Sequence, residues 1–416
     1  MTTTDSAPPA LRIPITNTHQ GGIYSAQIAI GGKGVPANLL LDTGSSPLAV
    51  AAATYDGAGD TALATTTLAQ LTTYAGGGWA GPVVGTDLGF GGAVVLKSAP
   101  IAIAVVHQGA LGTANGVLGL AYAGLNTAYD FAEYLTGAGA PAATHPWPFG
   151  GGSLSHMAAS LTKLVQAHAV PQHDVTPVVS LLQSQAGLAN KFAFHTLRSS
   201  VSLRGADPAA IAADPLNNGV FVLGGGEEQT DLYEGDFVDV GILHDLFYNV
   251  SLISVRVGAL PATPAAALEA QFAEAFVSNA VVDTGNDRLA LAPDVYQGVL
   301  AGLKQLNPAF AEAIQDAQAN QSVASDALDL AAWPDIVFTL AGVDGAGVEL
   351  TVAPQTYWQV DFPAAARAAF KIGGPLTAAN LSNLGLPLLN NYYTIFDRSQ
   401  GPQGVVRFAP TKPPAG

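Results

Sequence analysis

The stretch NLLLDTGSSPLAV, from Asn38 to Val50, places an acid directly after three leucines in a chain of which only 11% is charged. A second stretch, NAVVDTGNDRLAL (Asn279–Leu291), places Asp283 in nearly the same setting. One Asp-Thr-Gly predicts only a turn after a buried strand, because Asp and Gly are common turn residues. Two copies, each after an apolar strand, are much harder to explain as turns, so the pair indicates a repeated unit.

A Leu-Gly segment follows each copy further along the chain: GVLGLAY (Gly116–Tyr122) and NLGLPLLNNYYTIFD (Asn383–Asp397). Two motifs repeated in the same order predict two similar lobes with a cleft between them. We place the N-terminal lobe at residues 1–230, with the first Asp-Thr-Gly loop and an insertion near residues 123–174, and the C-terminal lobe at residues 231–416. The insertion could border the cleft, but a surface insertion is the simpler interpretation.

Composition narrows the class of protein further. The chain has 416 residues, 49% of them apolar, and 47 Gly and 27 Pro separate apolar runs of strand length, which favours a β-rich globular fold. Without cysteine it has no disulfide and no thiolate chemistry. A net charge of −16 with scattered Lys and Arg argues against nucleic acid as a partner, and no apolar run is long enough to predict a membrane span. We expect a monomer.

Alternation of apolar residues predicts strands in LRIPIT, GGIYSAQIAIGG and ANLLL, and a long antiparallel hairpin in VVGTDLGFGGAVVLKSAPIAIAVV. Helical spacing predicts four helices among these strands. Their sequences are SHMAASLTKLVQAH, TPVVSLLQSQ, TPAAALEAQFAEAFV and DVYQGVLAGLKQL.

Two carboxylates brought together at the base of a cleft have a specific chemistry. Like charges about 3 Å apart cannot both ionise, so the pair shares one proton over a broad acidic range. The ionised member can take a proton from a water that attacks a carbonyl, while the protonated member hydrogen-bonds the carbonyl oxygen. The pair titrates as a unit, so the residues leave open which of Asp42 and Asp283 carries the proton. We expect no cofactor and no metal.

These motifs resemble those of the pepsin-like aspartic peptidases, and cysteine-free bacterial members in particular. The resemblance extends over almost the whole chain, and its further segments are IYSAQIAIGG, GVLGLAY, FVLGGGEEQTDLYEGDFVDVGI, FYNVSLISVRVG, WPDIVFTLAG and NNYYTIFDRSQGPQGVVRFAP. It implies an all-β, bilobal fold with an interlobe cleft and a few short helices.

The resemblance also implies residue roles. Asp42 and Asp283 would be the catalytic pair, and the supporting residues of the two loops would be Thr43, Gly44, Ser45, Thr284, Gly285 and Asn286. The threonines would cross-brace the loops, the glycines would donate N–H groups to the carboxylates, and Ser45 would hydrogen-bond the outer oxygen of Asp42. Asn286 departs from the usual Ser or Thr, although its amide can still donate. Asp287, next in the sequence, is expected to point outward.

The family closes its cleft with a β-hairpin that carries a Tyr near the tip. LTTYAGGGWAGPVVGTD occupies that place, with Tyr74 and Gly76 as the expected substrate contacts. Leu40 and Val117 are expected to line an apolar pocket. Ala49 stands where many members have a Trp that hydrogen-bonds the flap Tyr, and Trp79 is the candidate to fill part of that space.

The resemblance therefore implies an endopeptidase that cleaves polypeptides at acidic pH beside hydrophobic residues and binds statine-type inhibitors. The main alternative is a weakly active or inactive peptide-binding or inhibitor-like protein on the same scaffold, and a glycosidase with paired carboxylates is a third. We expect a cytoplasmic protein, or a secreted or periplasmic one if a leader precedes the sequence. Histidines 145, 156, 168 and 173 are expected to be surface residues and not metal ligands.

Overall fold

The structure is a computed structural model that describes residues 10–19, 23–74, 77–109, 111–205, 207–377 and 379–413. Strands make up 37% of it and helices 23%, which confirms the expected predominance of β-structure. The chain forms two compact units. The N-terminal unit contains the residues through Ile13 and Ser25–Asn190, and the C-terminal unit contains Pro14–Tyr24 and Lys191–Gly416. The lobe boundary after residue 230 stays a prediction.

The strands of the N-terminal unit begin with β1, whose first three residues belong to this unit. They are β1 (Leu11–Thr16), β2 (Ser25–Ile30), β3 (Val35–Asp42), β4 (Leu48–Ala51), β5 (Ala64–Tyr74), β6 (Gly77–Phe90), β7 (Val94–Ala104), β8 (Val106–Gln108), β9 (Gly116–Gly119), β10 (Thr127–Asp130) and β11 (Gln172–Asp174). The helices are α1 (Ala132–Gly137), α2 (Leu154–His168) and α3 (Val178–Ala186), with a 3₁₀ turn at Ala123–Leu125.

Neighbouring strands of this unit follow the order β11-β10-β5-β6-β7-β4-β9-β3-β2. A further pairing of β2 with β6 closes the last part of this path into a ring. The predicted hairpin is confirmed as β6 and β7, which pair antiparallel around a turn where Gly91 and Gly92 have positive φ. Within the ring, β3 runs parallel to β9, so Asp42 emerges at the carboxyl end of a buried strand.

The insertion near residues 123–174 continues the sheet and packs on a second hairpin. Strand β10 pairs with β5, and β11 pairs with β10. Apolar side chains of α1 and α2 share a buried cluster with residues of β5 and β6; the cluster contains Ala69, Ala80, Phe131, Leu135, Leu154, Met157, Leu161 and Val170. The insertion is therefore an integral part of the core around the β5–β6 hairpin, not a loop laid on the surface.

The strands of the C-terminal unit, after the end of β1, form several sheets. They are β12 (Lys191–His195), β13 (Asn218–Leu223), β14 (Val238–Gly241), β15 (Asn249–Val250), β16 (Leu252–Val257), β17 (Thr263–Pro264), β18 (Ala280–Val282), β19 (Leu289–Ala290), β20 (Val323–Ala324), β21 (Ile336–Ala341), β22 (Gly347–Val352), β23 (Trp358–Val360), β24 (Arg367–Phe370), β25 (Ile372–Gly373), β26 (Ser382–Leu384), β27 (Tyr392–Asp397) and β28 (Val405–Pro410).

Their sheet orders are β13-β12-β27-β28-β14, β15-β18-β26-β19-β25, β17-β16-β21-β22 and β20-β24-β23. The helices are α4 (Pro208–Ala213), α5 (Ala273–Phe276), α6 (Pro293–Leu306), α7 (Pro308–Asn320), α8 (Pro354–Tyr357) and α9 (Leu386–Leu389), and 3₁₀ turns lie at Pro215–Asn217, Ala270–Phe272, Ser325–Ala327 and Leu330–Ala332. Strand β18 runs parallel to β26, so Asp283 also follows a buried strand with a parallel neighbour.

Three of the four predicted helices are confirmed as α2, α3 and α6, with Ser153 capping α2 through its side chain. The fourth prediction was wrong, because TPAAALEAQFAEAFV forms only the short strand β17, a 3₁₀ turn and α5. Leu268, Phe272 and Phe276 have the spacing of one helical face, but each is only half-buried. A helix of this length is marginal without packing of its apolar face.

The glycines of the two Leu-Gly segments lie against the backbone of the Asp-Thr-Gly loops. A Cβ added to Gly119 would lie 2.4 Å from the carbonyl carbon of Ser46, and one added to Gly385 would lie 2.3 Å from the carbonyl oxygen of Asn286. Real Cβ atoms do not approach backbone so closely, so in each unit only Gly lets the segment pass beside the loop.

We predict that Gly119→Ala destabilises the protein by about 2–3 kcal/mol, because the added methyl must displace rigid backbone. Gly137→Ala is the matched control, since a Cβ there meets no atom within 4 Å; its unfolding free energy should change by less than about 0.5 kcal/mol. Urea titration followed by circular dichroism measures both. Equal stability of the two variants would contradict the steric argument.

Candidate active site

Asp42 ends β3, whose residues Leu39, Leu40 and Leu41 are buried. The parallel register pairs Leu40 with Val117, Leu41 with Leu118 and Asp42 with Gly119. The N–H of Leu120 donates to the carbonyl of Asp42 at 2.7 Å. These bonds fix the backbone at the point where the carboxylate leaves the sheet.

The carboxylate of Asp42 receives the two donors that the resemblance implies. The N–H of Gly44 donates to Oδ1 at 2.8 Å. The hydroxyl of Ser45, itself buried, donates to Oδ2. An N–H group and a hydroxyl on the two oxygens hold the carboxylate in a single orientation and favour its ionised form.

Asp283 follows β18 in the same local arrangement. The parallel register with β26 pairs Val281 with Asn383 and Val282 with Leu384, and the N–H of Asp283 donates to the carbonyl of Leu384 at 3.1 Å. By these registers, Asn383 in the C-terminal unit corresponds to Val117 in the N-terminal unit. Asp283 as a whole residue is 9% exposed, so most of its contacts are with protein.

The N–H of Gly285 donates to Oδ1 of Asp283 at 2.8 Å, as the resemblance implies. Oδ2 receives the side-chain amide of Asn383 at 2.6 Å. The amide of Asn286 donates to Oδ1 of Asn383 at 2.8 Å, so it supports the carboxylate through a second residue. Sequence reasoning missed Asn383; the polar residue in an otherwise apolar Leu-Gly segment was the available signal.

Tyr74 ends β5 and pairs with Gly77 of β6, which confirms the predicted hairpin. The indole N–H of Trp79, a fully buried side chain, donates to the Tyr74 hydroxyl at a long 3.5 Å. Burial, and after it the negative charge of Asp42, raise the pKa of Tyr74 to about 12, and Ser45 hydrogen-bonds the same phenol. The hydroxyl therefore remains protonated at acidic and neutral pH, and Trp79 supplies the indole partner that Ala49 cannot.

The other residues predicted for the site have these places. Thr43 and Thr284 are buried, at 0% and 3% exposure, and their cross-bracing role stays a prediction. Leu40 and Val117 are register partners and are 1% and 3% exposed, so very little of either is available to a ligand; the pocket they were expected to line also stays a prediction. Gly76 lies outside the described residues.

Asp287, next to the second loop, pairs with a buried cation. Its carboxylate lies 2.7 Å from Nζ of Lys371, whose side chain is only 4% exposed. Burial alone would raise the pKa of Asp287, but the charge and hydrogen bond of Lys371 lower it below 3.8. The Asp287 side chain is 25% exposed, and the positive charge of Lys371 neutralises it locally. Arg288, next in the sequence, lies farther from the same carboxylate, at 3.4 Å, so the closest cation is Lys371, which directly follows β24.

The pKa of another carboxylate, that of Asp60, is also strongly shifted. It accepts hydrogen bonds from the N–H groups of Gly32 and Ala62, at 2.7 and 2.9 Å, and from the Tyr55 hydroxyl at 2.7 Å. Although burial opposes the shift, these bonds and one from Thr86 lower its pKa to about 2. The carboxylate oxygens of Asp60 therefore join the loops that carry their donors to Thr86 of β6, so Asp60 is a structural residue.

Within the described ranges, no group of three or more His, Asp or Glu side chains is arranged to hold a metal ion. His173 approaches Asp130 at 3.7 Å, and both side chains are partly exposed. No helix in the described part of the chain combines the length and apolar character needed to cross a membrane.

We predict that Lys371→Met destabilises the protein by about 2 kcal/mol at neutral pH, because Asp287 is left partly buried without its cation. The pKa of Asp287 is lowered in the folded state, so its contribution is complete above 3.8 and is lost as the pH falls through the lowered value. In the variant, burial without the Lys371 charge raises the pKa of Asp287, so the difference between variant and wild type should begin to shrink as the pH falls through that raised value and should go on shrinking down to the lowered value of the wild type.

Lys97→Met is the control for this change. Lys97 lies 2.6 Å from Asp87 but is 71% exposed, so its loss should cost less than about 0.5 kcal/mol. Chemical denaturation across the acidic range measures both variants. A Lys371 variant as stable as the Lys97 variant at neutral pH would contradict the proposed neutralisation of Asp287.

A scan against protein-family models finds no family that matches this chain.

Proposed function

We propose that the protein is an aspartic endopeptidase with a bilobal, pepsin-like fold, which uses Asp42 and Asp283 as its catalytic pair. One observation carries the proposal. In each unit an Asp-Thr-Gly loop leaves a buried strand beside a parallel Leu-Gly strand, and both oxygens of its Asp receive a hydrogen-bond donor. A turn that serves only structure has no need of two oriented carboxylates in matching frameworks.

In the proposed mechanism the two carboxylates face each other across a water and share one proton. The ionised Asp accepts a proton from the water as it attacks the peptide carbonyl, and the protonated Asp donates to the carbonyl oxygen. As the tetrahedral intermediate collapses, the proton taken from the water passes to the leaving nitrogen, and the other Asp keeps its own proton, so the pair returns to its starting state. Tyr74 would cover the bound peptide from the β5–β6 hairpin, where its protonated hydroxyl can donate throughout the acidic range.

The donors to Asp283 also favour an active peptidase over the main alternative, a weakly active or inactive peptide-binding protein on the same scaffold. Asn286 replaces the usual hydroxyl, which by itself suggests a disabled second loop. The amide of Asn383 fills that role at 2.6 Å, so the outer oxygen of Asp283 is still held. A scaffold that had lost catalysis would have no reason to retain donors on both carboxylates.

We predict that the protein cleaves unfolded polypeptides near hydrophobic residues at about pH 4, and that Asp42→Asn and Asp283→Asn each lower kcat/KM by at least about a thousandfold. Each substitution removes one partner of the proton-sharing pair. Mass spectrometry of peptide fragments, with and without a statine-type inhibitor, gives the rate and the cleavage positions.

Asp87→Asn is the control, because the Asp87 side chain pairs with Lys97, which is 71% exposed, and it should retain full activity. Cleavage that survives both substitutions would contradict the assignment of the pair. Tight peptide binding without cleavage by the wild-type protein would favour the binding protein instead.

A further inference from the structure

The two units hold their carboxylates with different side chains at matching positions. In the N-terminal unit the hydroxyl of Ser45 contacts Asp42. The neighbouring Leu-Gly strand has the apolar Val117 two residues before its glycine, where it pairs with Leu40. In the C-terminal unit both of these positions are Asn, namely Asn286 and Asn383. The second carboxylate is thus held by a pair of amides.

The direction of each hydrogen bond in this pair follows from a backbone group. The N–H of Arg288 lies 3.3 Å from Oδ1 of Asn286 and can only donate, so the amide oxygen of Asn286 must face it. The NH₂ of Asn286 is then left to donate to Oδ1 of Asn383, at 2.8 Å. Asn383 in turn must present its own NH₂ to Oδ2 of Asp283, at 2.6 Å.

An amide NH₂ can donate a hydrogen bond but cannot accept one. Asn383 therefore presents a donor to Oδ2 of Asp283 whether that carboxyl group is ionised or protonated. The N–H of Gly285 is a second fixed donor at Oδ1. The hydroxyl of Ser45 is different, since it can rotate to donate to an ionised Asp42 or to accept from a protonated one. Fixed donors on both oxygens stabilise the charged form of a carboxylate more than the neutral form, because a protonated oxygen must give up its donor. The amide pair therefore favours ionisation at Asp283 over ionisation at Asp42.

We propose that Asn383, oriented by Asn286, is a positioning residue that holds Asp283 as the ionised member of the pair and leaves the shared proton on Asp42. The inference rests on the proposed peptidase function for its catalytic meaning, but the preference for an ionised Asp283 can be measured without catalysis. Asp283 would then accept the proton of the attacking water, and Asp42 would donate to the peptide carbonyl.

The first test removes the amide that touches the carboxylate. Asn383→Val introduces the residue found at the corresponding position in the N-terminal unit, and it should raise the pKa of Asp283 by about one unit, the usual size of a lost charge-assisted hydrogen bond. The acidic limb of the kcat/KM profile should move to higher pH by a similar amount. Carboxyl ¹³C NMR of the full-length protein with labelled Asp measures the pKa, and Asp283→Asn identifies the signal.

The second test restores a donor by another route. The double variant Asn286→Ser with Asn383→Val gives the second loop the hydroxyl and the apolar neighbour of the first loop. It should return the pKa of Asp283 part of the way to the wild-type value, because a hydroxyl can donate to the ionised carboxylate but, unlike an amide, can also accept from the protonated one. A simple loss of packing would not be rescued in this way. If the double variant titrates like Asn383→Val alone, the loss of the donor is not the cause and the proposal is overturned.

Asn217→Val is the control for loss of a buried amide. The Asn217 side chain is fully buried and bonds to the N–H of Ser202 and the carbonyl of Ile211, both at 2.7 Å. This variant should lose stability and leave the Asp283 titration unchanged. An equal shift in the control would mean that general loosening moves the pKa, which would also overturn the proposal.

The outcomes separate this inference from the peptidase assignment. If the wild-type protein cleaves peptides but Asn383→Val changes neither the pH profile nor the Asp283 titration, the amide pair has no such role and the peptidase assignment stands. If the protein does not cleave peptides but Asn383→Val still raises the Asp283 pKa, the peptidase assignment fails and the role of the amides in keeping Asp283 ionised stands.

Discussion

The structure of each candidate catalytic loop depends on a close approach of two backbone segments that only glycine permits. Gly119 and Gly385 pass so near their Asp-Thr-Gly loops that a methyl group would collide with main-chain atoms. Parallel pairing with the buried strand then fixes the residue at which the loop begins. The orientation of the carboxylate is therefore set by rigid backbone on both sides, and the donors to its oxygens need only complete it.

The two loops show that one structural requirement can be met by different chemical groups. A hydroxyl three residues after Asp42 and an amide from the neighbouring strand at Asp283 both place a donor on the outer oxygen. The groups are equivalent in geometry but not in proton chemistry, because only the hydroxyl can also accept. A sequence can thus lose the usual residue from a motif without losing the hydrogen bond that the motif provides.

Local patterns in the sequence were enough for the elements that build the site. The strands ending in Asp42 and Asp283, the β6–β7 hairpin and three helices follow from apolar spacing and turn residues, whereas the β5–β6 hairpin was expected from the family resemblance. The prediction failed for TPAAALEAQFAEAFV, where spacing indicated a helix but half-buried side chains do not support one. Asn383 and Lys371 were missed because they lie 100 and 84 positions from their carboxylates, and contacts at such separations depend on the tertiary fold.

The insertion adds a constraint on how this chain can vary. Helices α1 and α2 bury Ala69 of β5 and Ala80 of β6 in a common cluster with Met157 and Leu161. One side of the hairpin stem is therefore already covered by the chain's own residues. An evolutionary lineage that shortened the insertion would have to replace the small apolar residues of the stem at the same time, so the two segments are expected to be gained, lost and transplanted together.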